Sequence, residues 1–107
     1  MKVAVTSSGP STDDLMDDRL GRCPYFIIMD TDDGEILSVA NKAADASSGA
    51  GTKAMQALLD LGVEAVITGR IGPHASALLE EVQLKAFTGR SGNVGQVLND
   101  FRAGNGL

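Results

Sequence analysis

Tyr25-Phe26-Ile27-Ile28-Met29-Asp30-Thr31-Asp32-Asp33-Gly34-Glu35-Ile36-Leu37-Ser38-Val39-Ala40-Asn41 is the stretch whose reading decides the fold. Two β-rich runs, Tyr25–Asp30 and Glu35–Asn41, flank Thr31–Gly34. Asp-Gly between apolar runs is a strong hairpin signal, so these runs should pair antiparallel. The acidic spacing of the turn resembles a calcium loop only superficially. Gly34 stands at the fifth position, where a ligand is required, and the later glutamate is missing.

Outward from the hairpin, Lys2–Thr6 reads as an earlier strand that ends in Ser7-Ser8-Gly9-Pro10. After it, residues 7–24 hold no sustained period, and Asp13, Asp14, Asp17 and Asp18 lie among them. A long loop of this kind is either functional or a solvated surface segment. Beyond the hairpin the pattern changes to helix and strand in alternation. Ala54, Ala57, Leu58 and Leu61 share a helical stripe closed by Gly62, and Val63–Thr68 is a short apolar strand. Pro73 opens a helix carrying Ala75, Leu78, Leu79 and Val82. Leu84–Thr88 is the last strand, before a helix with Val94, Val97, Leu98 and Phe101. The tail Gly104–Leu107 is expected to fray.

The order is thus β-β-β-α-β-α-β-α. A hairpin reverses chain direction and each helical crossover restores it, so strands one, three, four and five end at the same sheet edge. The loops that follow them, Ser7–Pro10, Ser47–Thr52, Gly69–His74 and Gly89–Asn93, are rich in Gly and Ser. Ligands of open α/β sheets bind outside the carboxyl ends of strands, so the four loops are expected to converge on one site. Three helix N-termini there would offer unpaired N–H groups and partial positive charge. Arg19, Arg22, Arg70 and Arg90 belong to the same edge, which favours an anionic ligand; the plainer reading is that they scatter over the rim.

Composition narrows the classes. A chain of 107 residues fits one domain, and 43% hydrophobic content supports a core that must be aliphatic, since aromatics are only 4%. A net charge of −5 argues against nucleic acid and anionic membrane as partners. Neither a signal peptide nor a membrane-length apolar run occurs, and one cysteine forms no internal disulfide, so a cytoplasmic location is expected. Gly49-Ala50-Gly51-Thr52-Lys53-Ala54 matches a dinucleotide fingerprint by letters, but not in position after the first strand. No Ser-His-acid order, G-x-S-x-G or metal-holding carboxylate on the first strand supports catalysis, so a non-enzymatic protein is expected.

Two side chains are candidate metal ligands. Cys23, beside Arg22, reads either as a thiolate ligand whose pKa the arginine lowers or as a small buried filler. His74, the only imidazole, reads either as a neutral ligand at a helix start or as an exposed polar cap. One Cys and one His make a poor zinc site, yet suffice for a preassembled cluster that brings its own sulfide.

Gly21-Arg22-Cys23-Pro24-Tyr25-Phe26, Gly49-Ala50-Gly51, Gly62-Val63 and Ile71-Gly72-Pro73-His74-Ala75 together resemble the dinitrogenase iron–molybdenum cofactor biosynthesis family over nearly the whole chain. The resemblance implies a ribonuclease H-like motif: a five-stranded mixed sheet in order 3-2-1-4-5, with β2 antiparallel, flanked by helices. It also implies a carrier of an iron–sulfur or iron–molybdenum cluster that works with cofactor-assembly proteins. The chain departs from the family in reading Arg19-Leu20-Gly21-Arg22 where relatives often begin with His, in having His74 where many have Asn, and in placing Cys23 where Ala is common. On this reading Cys23 and His74 ligate the cluster, and Arg19 and Arg22 neutralise its charge. Gly21, Gly49, Gly51, Thr52, Gly72 and Pro73 form the cradle, in which backbone amides within Gly49–Thr52 and Gly72–His74 donate. The alternative is a regulatory domain binding a phosphate- or nucleotide-bearing anion at the same edge. A monomer or weak homodimer is expected, with either edge strand available for pairing.

Overall fold

A computed structural model describes residues 1–104 of the chain. Its elements are β1 (Lys2–Ser7), β2 (Tyr25–Asp30), β3 (Ile36–Ala40), α1 (Ala50–Asp60), β4 (Val63–Ile67), α2 (Pro73–Leu79), β5 (Lys85–Phe87) and α3 (Val94–Ala103). They form one five-stranded sheet in order β3-β2-β1-β4-β5. β2 runs antiparallel to β1 and β3, while β4 is parallel to β1 and β5. This is the ribonuclease H-like α/β arrangement expected above.

The hairpin forms for the reason its letters give. Gly34 takes φ +77°, a left-handed conformation that suits glycine, and its N–H donates to the Asp30 carbonyl. The Asp33 carboxylate accepts from the Glu35 N–H and tightens the turn.

Two apolar clusters sit on opposite faces of the sheet. Ala4, Phe26, Ile28 and Val66 point to one face, where Ala54, Met55 and Leu58 of α1 and Ala75 of α2 cover them. Val3, Val5, Ile27, Ala65 and Ile67 point to the other, under Val94 and Leu98 of α3. Alternation along each strand thus fills two cores from one sheet, giving three layers. Phe87 and Phe101 meet edge to face at 5.6 Å between centroids and close the α3 side.

Several boundaries contract. α2 ends at Leu79 rather than carrying on to Val82, and β5 keeps only Lys85–Phe87 of the expected Leu84–Thr88. Gly104 at φ +79° terminates α3. The rest of the expected frayed tail, residues 105–107, lies outside the described residues. No described helix is long and apolar enough to cross a membrane.

Candidate functional site

The carboxyl edge of the sheet is divided into two unlike halves. On the α3 side, the 7–18 loop folds back over the helix start. Carbonyls of Asp14 and Thr12 accept from the N–H groups of Val94 and Gly95 at 3.0 and 2.9 Å. The Asn93 side chain accepts from the Gln96 N–H at 3.0 Å. These bonds satisfy donors that an anion would otherwise use. The Ser7–Pro10 and Gly89–Asn93 loops therefore serve packing, and neither lines the cavity described below. The expected convergence of four loops is corrected to two, joined by the 19–22 segment. Arg90 stays on the closed half, its Nε buried without a hydrogen-bond partner among the described residues.

On the other face the edge is open. A cavity of about 370 Å³ lies between the 19–22 segment and the first turns of α1 and α2. Arg19, Gly21, Arg22, Gly49, Gly51, Thr52, Gly72, Pro73 and His74 all line it. Leu20, Ala50, Arg70, Ile71 and Ala75 line it too.

Backbone pairing holds the 19–22 segment in place. The Arg70 N–H donates to the Asp18 carbonyl at 2.7 Å, and the Leu20 N–H to the Arg70 carbonyl at 3.3 Å. Leu20 is buried and anchors the segment in the α1/α2 core. Behind it, the Asn41 amide donates to the carbonyls of Gly21 (3.0 Å) and Cys23 (2.9 Å), while its oxygen accepts from Ala43 N–H. Asn41 is thus a positioning residue for the cavity wall. Only its place at a strand end marked it in the sequence.

The glycines permit close approach. A Cβ on Gly21 would lie 2.5 Å from the Gly51 nitrogen and 2.8 Å from the Ala50 carbonyl carbon. One on Gly51 would lie 3.1 Å from the Ala75 Cβ. The 19–22 backbone therefore packs against the backbone of the first α1 turn, and that turn against the Ala75 methyl of α2. Neither Gly49 nor Gly72, the N-cap residues, supplies a side-chain acceptor. The Thr52 hydroxyl donates back to the Gly49 carbonyl at 2.9 Å and so caps none of the amides of the first α1 turn.

The rim is cationic but unevenly so. Arg19 pairs with Asp17 at 3.3 Å, a hydrogen bond that raises the guanidinium pKa. Arg70 pairs with Asp18 at 3.0 Å. Arg22 instead donates to the carbonyls of Ala44, at 2.9 Å, and Ala46. Among the described residues it has no carboxylate partner, so its charge is the one not offset.

His74 is exposed on the cavity wall, whereas Cys23 is not on the wall at all. Cys23 has no exposed surface, belongs to the α1/α2 core, and its thiol donates to the Leu20 carbonyl at 3.4 Å. Burial pushes its pKa up to about 12, with Asp17 adding in the same direction. The expected lowering by Arg22 is therefore overturned, because desolvation disfavours the thiolate and the arginine points elsewhere. No group of three or more His, Cys, Asp or Glu that could hold a metal ion occurs among the described residues.

The profile of the family described as dinitrogenase iron-molybdenum cofactor matches residues 1–104. The chain belongs to this family. Its members are associated with cofactor biosynthesis. Among solved structures, the apo form of the orange protein from Desulfovibrio gigas is 34% identical, with a TM-score of 0.89 covering 96% of this chain and 88% of that one. A Thermotoga protein provisionally assigned as a NifB protein of the DUF35 family is also 34% identical, with a TM-score of 0.81 over the same shares. An uncharacterised protein of Methanocaldococcus jannaschii is 25% identical over 107 residues, 97% of this chain and 87% of the relative.

Proposed function

We propose that this member of the family is a non-catalytic carrier that binds an anionic iron–sulfur or iron–molybdenum cluster in the α1/α2 cavity. The observation that carries the reading is the uncapped first turn of α1, open to a cavity rimmed by Arg19, Arg22 and Arg70. A bare metal ion needs three or four protein ligands, which this wall does not offer. A preassembled cluster with its own sulfides needs mainly hydrogen-bond donors and positive charge. Amides of Ala50, Gly51 and Thr52 meet the first need, and Arg22 the second. His74 is the one side chain on the wall able to ligate metal. Cys23 is left out of the ligand set because its thiol is protonated and enclosed. Proteins that assemble or receive such a cofactor are the partners this role requires.

Anaerobic titration with iron–sulfur clusters or iron–molybdenum cofactor, followed by absorbance and EPR, tests the proposal. Saturable binding is expected, weakened roughly tenfold or more in His74→Ala and Arg22→Gln, since interactions with charged groups contribute about 1.5–3 kcal/mol. Cys23→Ala is expected to bind as the wild type does. Absence of binding by the wild type would sink the proposal, and a thermal shift with nucleotides or inorganic phosphate would then favour the phosphate-bearing ligand.

A further inference from the structure

The outer edge of the sheet away from the cavity carries a second message. β3 (Ile36–Ala40) is the outermost strand on its side. Two hydrogen bonds of the ladder fix which way its backbone groups face. The Asp30 N–H donates to the Glu35 carbonyl and the Asn41 N–H to the Pro24 carbonyl. Odd-numbered residues therefore turn their backbone groups toward β2, and Ile36, Ser38 and Ala40 turn theirs outward.

Among the described residues nothing guards this edge. β3 has no Lys, Pro or bulge in its run Ile-Leu-Ser-Val-Ala, and Ile36 and Leu37 are 46% and 55% exposed. The opposite edge differs: β5 has three residues and begins with Lys85. Short, charged edges resist pairing, whereas long apolar ones invite it. Beside β3, on the α1 side, lie two grooves of about 470 and 290 Å³ that share Leu61. Phe26, Val39 and Ala57 floor the first; Ile28, Ile36 and Leu37 floor the second.

Charge at the two ends of this groove names the occupant. Lys42 and Lys53 lie at the end nearer the cavity, and Asp60 and Glu35 at the other. There Asp30 is paired with the N-terminal ammonium, and Lys2, whose ammonium sits on the Leu61 carbonyl, offsets one of the two remaining carboxylates, so that end keeps a smaller net negative charge. A surface positive at one end and negative at the other is complementary to itself when turned through a two-fold axis.

We infer that β3 pairs antiparallel with β3 of a second copy of this chain, about a two-fold axis through Ser38, giving one continuous sheet. This register joins the outward groups of Ile36 to those of Ala40 in the partner and Ser38 to its own counterpart. It keeps each α1 helix on the same face, so the lysine end of each groove meets the acidic end of the other. The two ligand cavities then lie at opposite edges of the joined sheet.

Sedimentation velocity from micromolar to near-millimolar protein tests the inference. Wild-type mass is expected to rise toward twice the 11.1 kDa protomer, and added salt to weaken the association. Ser38→Pro removes an outward N–H without touching the β2 ladder, and Ile36→Lys charges the edge. Both are expected to stay at protomer mass while keeping the wild-type circular dichroism. Amide exchange on the wild type supplies a readout independent of variants: protection at Ile36, Ser38 and Ala40 should grow with concentration. Protomer mass at every wild-type concentration, dimers in both folded variants, or protection gained elsewhere would each overturn the pairing.

Discussion

The α1/α2 and α3 sides of the same sheet edge begin from similar sequence and end with opposite chemistry. Each has glycine-rich loops, an arginine and a helix start. On the α3 side the chain answers its own donors, through the carbonyls of Thr12 and Asp14 and the side chain of Asn93. On the α1 side glycine stands where a capping side chain would, and the donors face a cavity. A helix start marks a binding site only when the chain leaves it unanswered.

The strongest way to break the contrast is to fill the open half from within. Gly21→Val should abolish cluster binding in the anaerobic titration and lower stability to urea by about 1–3 kcal/mol, the range for overpacking. Gly72→Ala is the control: its Cβ meets nothing within 4 Å, and φ of −66° suits any residue. It should keep wild-type stability to urea.

Cys23 sharpens the contrast by pH. The unfolded thiol titrates near the model-compound value of 9.0 and the folded one at about 12. Between these values the unfolded chain has lost a proton that the folded chain retains, so raising the pH favours unfolding. Relative to Cys23→Ala, wild-type stability should be level below about pH 9 and then fall by about 1.4 kcal/mol per pH unit. Urea midpoints across that range check the slope, and a level difference would show the thiol to be accessible.

A smaller change makes the open half resemble the closed one. Thr52→Glu places a carboxylate in the first turn of α1. Repulsion of about 1–2 kcal/mol near a surface should weaken an anionic ligand on the order of tenfold. The helix itself should gain about 0.3–1 kcal/mol, seen as a higher melting temperature without ligand. Least of all, Asn93→Ala should cost about 1 kcal/mol as a lost N-cap and leave ligand affinity unchanged. Weakened binding in that variant would join the two halves into one site.

Much of this was legible in the sequence because it is written in side chains. Asp33-Gly34 announced the hairpin, and the alternation of Val3, Ala4 and Val5 announced a two-faced strand. Gly21 and Gly51 announced close approach. The closure of α3 was not legible, because it rests on backbone carbonyls of residues 12 and 14, which any residue supplies. The burial of Cys23 was one of two readings the sequence left open, since its neighbours Arg22 and Pro24 are exposed; the packing of Leu20 beneath α1 decides it. The extra wall residue Ala75 looked like an ordinary core position.

The central place of β1 also sets an order of events during folding. Its pairing with β2, and that of β2 with β3, joins nearby residues, such as Thr6 with Phe26 and Met29 with Ile36. Pairing with β4 must bring Val3 to Ala65, a far longer loop to close and therefore a slower step. The wall formed by the start of α2 follows β4 in the chain, so a meander of β1 to β3 has no cavity. A ligand of this cavity would consequently select finished molecules, and its binding energy would add only to the state in which the last crossover has docked.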